Sequence, residues 1–175
     1  MKDKNPTKWV IDPAHSEFTF KVKHMMISTV TGRFNQFDAT VETSGDDFTN
    51  AQVEVKVDVN SITTNNNDRD NHLKSDDFFN AEKYPAMTFR STSFDGEKLT
   101  GDLTIRNITM EVVLDAEFNG IVSDPWGQIK AGFELTGEIS RKEFGLLWNV
   151  VTEAGSVVVS DKVKLVIGVQ FVRQA

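Results

Sequence analysis

The sequence predicts an all-β chain, with eight antiparallel strands closed into an up-and-down barrel and short helical insertions near residues 24–29 and 66–79. Three observations predict it. Hydrophobicity alternates with a period of two along most of the chain, the pattern of strands with one dry and one wet face. Turn-forming pairs punctuate that alternation. The alternating runs are about ten residues long, above the usual five or six, and long antiparallel strands in sequence leave no exposed edge when they close into a barrel. A two-sheet sandwich is the structural alternative.

The elements follow in order. EFTFKVKH places Phe18, Phe20, Val22 and His24 on one face and Glu17, Thr19, Lys21 and Lys23 on the other. HMMIST, 24–29, is short and apolar and reads as one helical turn between the first two strands. QVEVKVDV alternates Val53, Val55, Val57 and Val59 with polar residues, and VKLVIGVQF does the same with Val163, Leu165, Ile167, Val169 and Phe171. Asp95-Gly96 signals a two-residue hairpin. Arg106-Asn107 joins the next pair, with Asn107 suited to a left-handed turn position, and Asp124-Pro125-Trp126-Gly127 marks a further turn. The strands predicted are 16–24, 30–43, 51–60, 86–94, 97–106, 109–119, 127–140 and 161–173. Two long connections, 61–85 and 141–160, break the rhythm and need structure of their own. In the first, Asn or Asp near 66–68 can cap a short helix ending near Lys74, and Ser75 can cap a second turn carrying Phe78 and Phe79.

At 175 residues the chain fits one domain, 1–175. The net charge of −7, with Lys and Arg scattered, argues against nucleic acid or an anionic membrane as the main partner. No cysteine is present, which removes disulfides and thiolate chemistry, and no apolar run is long enough to span a membrane. The start, MKDKNPTKW, has no leader-like apolar region, so a cytoplasmic location is expected unless a leader has been removed. Thirteen Phe stand against one Tyr, which suits an interior with few hydrogen-bond partners, either packed or hollow.

The charged stretch NNNDRDNHLKSDDFF, 65–79, invites a calcium reading, but position 6 of such a loop would be Asn71 instead of Gly and position 12 would be Asp77. His15 and His24 lie about 30 Å apart on an unbroken strand at ~3.4 Å per residue, too far to share an ion. Ser16 beside His15 is only a neighbour in sequence, because adjacent strand residues face opposite sides. No metal, cofactor or catalytic residue is therefore assigned. The apolar faces recur on every strand, and an eight-stranded barrel either fills itself or holds one small ligand.

W-x-I-D-P-A-H-S at 9–16, F-x-V-K-H-M-M at 20–26, G-R-F at 32–34, S-I-T-T and R-D-x-H-L-K-S-D-D-F-F within 61–79, Y-P-A-M-T-F-R-S-T at 84–92, G-D-L-T-I-R at 101–106, I-S-R-K-E-F-G-L at 139–146 and S-D-K-V-K-L at 160–165 together resemble the YceI-like family. Asn107 stands where relatives commonly have Gly, and Glu143 where Asp is common. The resemblance implies a lipocalin-like barrel whose lumen holds a polyisoprenoid lipid, ending in a quinone or a pyrophosphate. It further implies a non-enzymatic carrier or sequestering role, often as a homodimer. The lumen walls expected are Phe18, Phe20, Val22, Met25, Met26, Phe34, Val55, Val57, Phe89, Leu103, Leu114, Phe133, Leu135, Leu165, Ile167 and Val169. The 65–79 segment is expected to be a lid, charged outside and anchored by Leu73, Phe78 and Phe79, with Arg69, His72 and Arg141 as candidate head-group contacts. Competing readings are an enzyme acting on an isoprenoid or fatty substrate, and a filled barrel serving as a stress or interaction protein.

Overall fold

The computed structural model describes residues 5–149 and 158–175. Its strands are β1 (Thr7–Ile11), β2 (Glu17–His24), β3 (Ser28–Phe34), β4 (Phe37–Ser44), β5 (Asp47–Asp58), β6 (Ile62–Thr63), β7 (Ala86–Phe94), β8 (Lys98–Ile105), β9 (Ile108–Ser123), β10 (Ile129–Ser140) and β11 (Val159–Arg173). One helix, α1 (Asn67–Lys74), lies between β6 and β7. All pairings are antiparallel, and β1 pairs with both β4 and β11, so the sheet closes on itself. β1 and β2 form one bent stave of the barrel, and β3 and β4 form the next. With β5, β7, β8, β9, β10 and β11 they make eight staves in up-and-down order. A sandwich is excluded by that closure.

The bends explain where the sequence reading fell short. β1 lies outside the expected first strand because the stave breaks at Pro13–His15, a 3-10 turn with Pro at its start and Asp12 at its N-cap. Asp12 Oδ1 accepts from the Ala14 N–H, and Ser16 Oγ donates to the Asp12 carbonyl. The partner stave breaks opposite it, at residues 35–36, where the Asn35 N–H turns to the Ser61 carbonyl. β9 runs on to Ser123 through a bulge opposite Gly132–Phe133.

HMMIST is not helical, which corrects the expected insertion near 24–29. His24 pairs with Ser28, and Met25 and Met26 take left-handed φ values of 51° and 59° at the tip of the β2–β3 hairpin. Closing two strands within three residues demands that geometry, and one helical turn does not supply it. At the β8–β9 turn the left-handed residue is Arg106, φ 56°, and not Asn107. The guanidinium of Arg106 then reaches the Phe78 carbonyl at 3.1 Å, which ties the turn to the segment after α1.

Apolar side chains form two clusters stacked along the barrel. One centres on Trp9, Phe48, Phe94 and Phe133 near the termini, and the other on Phe34, Val59, Phe78 and Phe144 near the two long connections.

Candidate functional site: an apolar cavity along the barrel axis

A cavity of about 230 Å³ runs through both clusters. That exceeds the roughly 150 Å³ at which an apolar protein cavity stays dry and takes up benzene. Its lining is aliphatic and aromatic, and Thr19, Thr88 and Arg141 are the polar residues among the described walls. On β11 the lining includes Val159 and then alternates without a break from Val163 to Phe171. Eight steps at ~3.4 Å, tilted by ~40°, give an axial reach of about 21 Å.

The hollow follows from where the sequence puts glycine. Gly137 lies between Leu135 and Ile139 on the inward face of β10, and a Cβ there would clash with Leu114 of β9. The missing side chain is the space into which Leu114 folds. Phe89 lies over Gly101 in the same way, and Phe20 over Gly32. Three large side chains thus lie flat against the wall instead of crossing the lumen.

The two ends are closed differently. Toward the termini, Phe48 stacks with Trp9 at 5.0 Å, Phe118 at 5.6 Å and Phe133 at 5.0 Å between ring centroids. Trp9 is fully buried, and its indole N–H donates to Thr43 Oγ1. At the other end α1 and the turns after it form the cover. Asn66 Oδ1 accepts from the Arg69 N–H to cap the helix, and buried Asp70 Oδ1 accepts from both the N–H and the hydroxyl of Thr64. Ser75 ends this helix by donating to the His72 carbonyl; its hydroxyl does not cap a second turn. Leu73, Phe78 and Phe79 face the cavity, as a lid with an apolar underside requires.

Fourteen of the expected wall residues line the cavity: Phe18, Phe20, Val22, Phe34, Val55, Val57, Phe89, Leu103, Leu114, Phe133, Leu135, Leu165, Ile167 and Val169. Met25 and Met26 do not; they are exposed at the hairpin tip, past the rim. The reading also missed Phe48, Phe94, Leu99, Ile139 and Phe171, among others. Alternation alone could have placed Phe171, two residues beyond Val169, and Ile139, four beyond Leu135 on the same face, whereas Phe48 lies outside the strand predicted there.

The expected head-group residues are not brought together as a cationic site. Arg141 reaches the cavity, but four of its N–H donors go to backbone carbonyls: Ser160 at 2.9 Å, Leu146 at 2.5 Å, Trp148 at 2.9 Å and Val159 at 3.1 Å. Burial pushes its pKa below the ordinary guanidinium value. Arg141 therefore holds the connection after β10 onto β11. Arg69 donates to Thr64 Oγ1 and to the Thr64 carbonyl, both at 2.7 Å, outside the cavity lining. His72 Nε2 lies 2.8 Å from Asp77 Oδ2, with its ring edge-on to Phe78 and Trp148.

The opposite histidine has a structural partner. His15 Nδ1 lies 2.8 Å from Asp12 Oδ2, and Lys130 Nζ lies 3.0 Å from the same oxygen. The His15 hydrogen bond, opposed by burial and aided by Lys130, holds the Asp12 carboxyl below its usual range. Ser16 is turned away, accepting from the Gln170 N–H. Among the described residues no group of three His, Asp or Glu side chains is placed to hold a metal ion.

Comparison with known proteins adds the family. The model of the YceI-like domain matches residues 9–171. A UPF0312 protein of Staphylococcus aureus is 40% identical over 166 residues, 94% of this chain and 97% of its own. The chain belongs to the YceI-like family. Among solved structures, this YceI-like barrel is similar to the YceI protein of Campylobacter jejuni, with a TM-score of 0.74 and 36% identity over 87% of this chain and 90% of that one. Two more distant structures share the fold. BcnA of Burkholderia cenocepacia has a TM-score of 0.75 at 22% identity, covering 91% of this chain and 98% of its own. A polyisoprenoid binding domain from Saccharophagus degradans, implicated in plant cell wall breakdown, has a TM-score of 0.70 at 15% identity, covering 97% and 100%.

Proposed function

We propose that the protein binds a long polyisoprenoid lipid in the barrel lumen and acts as a non-enzymatic carrier or store. The observation that carries this reading is the continuous apolar cavity, about 21 Å deep by strand length, with both ends covered. Each buried methylene contributes about 0.8 kcal/mol before ordering costs, so a chain of many isoprene units gains enough there to leave water. The Saccharophagus degradans protein of the same fold is described as a polyisoprenoid binding domain, which supports the ligand class. Because Arg69 and Arg141 are engaged with Thr64 and with main-chain carbonyls, a neutral quinone ring suits this end better than a pyrophosphate.

The test is organic extraction of purified protein followed by mass spectrometry. A reproducible isoprenoid mass near one per chain is expected. Clean extracts, from protein that also refuses added isoprenoid quinone, would overturn the reading. Turnover of that lipid, lost in His24→Ala or His72→Ala with the lipid still bound, would make it an enzyme instead.

A further inference from the structure

Met25, Met26 and Ile27 form an apolar hairpin tip on the rim of the lid end, with Met26 61% and Ile27 83% exposed. Leu147, 65% exposed, stands on the same rim. The two are linked through short contacts: the Met25 N–H donates to the Val158 carbonyl, and Asn149 bonds Val158 and Val159. Leu147 itself lies between two carbonyls pinned by Arg141, so its outward position is imposed by the fold.

Directly behind this tip the fold gathers lysines that are scattered in the sequence. Lys21 and Lys23 of β2 lie beside Lys162 and Lys164 of β11, and Lys21 is directly opposite Lys164 in the register. Lys142 lies next to them. These five exposed lysines share the flank with three carboxylates, Glu138, Glu143 and Asp161, and with His24. Asp161 is already engaged. Burial pushes its pKa up, but bonds from Ser140 and the Lys142 N–H, with the charges of Lys142 and Lys162, hold it below the ordinary value. None of the five lysines forms an ion pair among the described residues. Directly opposed like charges destabilise a sheet, and Glu138, opposite Lys164 on β10, offsets that at one of the five lysines. In a chain of net charge −7 this flank is a local reversal of sign.

We propose that this rim docks on an anionic lipid bilayer, with Met26, Ile27 and Leu147 dipping among the acyl chains and the five lysines resting on the headgroups. An apolar wedge backed by cations is the two-part signal that surface binding requires. The same end carries the lid, so docking would set the covered mouth of the cavity against the membrane. The inference rests on the carrier reading only for its purpose, not for its geometry.

Flotation of the intact protein with vesicles tests it. Vesicles of phosphatidylcholine with about a third phosphatidylglycerol should carry the protein, and pure phosphatidylcholine vesicles should not, because each lysine near an anionic surface is worth about fivefold in partition. Raising salt from about 0.05 M to about 0.5 M should release it. Met26→Asp with Ile27→Asp, and separately Lys21→Gln with Lys164→Gln, should each lower the partition at least tenfold while the thermal midpoint holds. Asp tolerates the left-handed backbone at Met26. Equal binding to both vesicle types, no binding to either, or variants that bind like the parent would overturn the proposal. So would a parent dimer made monomeric by the tip variant, which would make the tip a self-interface. Extraction and mass spectrometry on the same samples keep the two readings apart. Bound isoprenoid without vesicle binding removes the docking alone, and vesicle binding without isoprenoid removes the carrier alone.

Discussion

Three inward glycines carry much of what makes this barrel hollow. Gly137 meets only the far end of Leu114 at close range, a group that can rotate. Gly137→Ala should therefore push Leu114 into the lumen at a stability cost below about 1.5 kcal/mol, and the lipid extracted per chain should fall. Gly101→Ala behaves differently, because its new methyl would also lie 2.6 Å from the Arg90 carbonyl oxygen, which is backbone. There the sheet itself must move, and a loss of about 1–3 kcal/mol in chemical denaturation is expected. Equal stability losses in the two variants would refute this account. Arg141 is the reverse case, a buried charge that cannot be spared. Arg141→Leu strands four carbonyls and should destabilise the protein by about 3–5 kcal/mol, at roughly 1 kcal/mol for each buried acceptor left without its donor. Its role was not legible in the sequence: a lone arginine in a long connection looks the same whether it faces a ligand or its own main chain.

The lid hangs on few bonds. Asp70 joins α1 to Thr64 through one oxygen, so Asp70→Ala should leave the Thr64 N–H and hydroxyl unsatisfied and speed hydrogen exchange across 64–80 while the strands stay protected. Uniform loss of protection would mean that the segment is part of the core and not a separable cover. The bend between β1 and β2 depends on Asp12 in a way that pH reveals. Its folded pKa is depressed, so its contribution is present above the unfolded value near ~3.9 and is lost as pH falls through the folded value. Asp12→Asn should thus lower stability at neutral pH, by about 1–2 kcal/mol for a partly exposed charged bond, and the gap to the parent should close as pH falls below about 4. The strands themselves were readable because alternation reports a pleat with one dry face. The breaks were less so: Pro13 falls before the expected first strand and was not read as a break, and the 35–36 break arises from bonds to residues beyond 57, which no local pattern contains. HMMIST misled for a related reason, since an apolar tip resembles a buried turn until the strands on either side are in register.

Closure of the barrel turns separate apolar stripes into one enclosed surface. The wall was legible because every stave repeats the same alternation. The free space was not, since it depends on Leu114 and Phe89 lying over Gly137 and Gly101 on neighbouring strands. The basic flank was hidden likewise, because Lys21 and Lys164 meet only when the last strand returns to the first. If a guest occupies that enclosed surface, folding and binding are linked. Protein loaded at about a hundredfold above Kd should gain about 2.7 kcal/mol over stripped protein, raising the thermal midpoint by about 5–10 °C. An unchanged midpoint with isoprenoid bound would place the lipid on the outside. The stack of Trp9, Phe48, Phe118 and Phe133 has one further consequence. A tube stoppered at its far end by rings works as a dipstick: whatever slides in halts at a fixed depth, so tail length is gauged by where the molecule bottoms out. Shaving Phe48 to alanine should then shift the catch toward longer homologues.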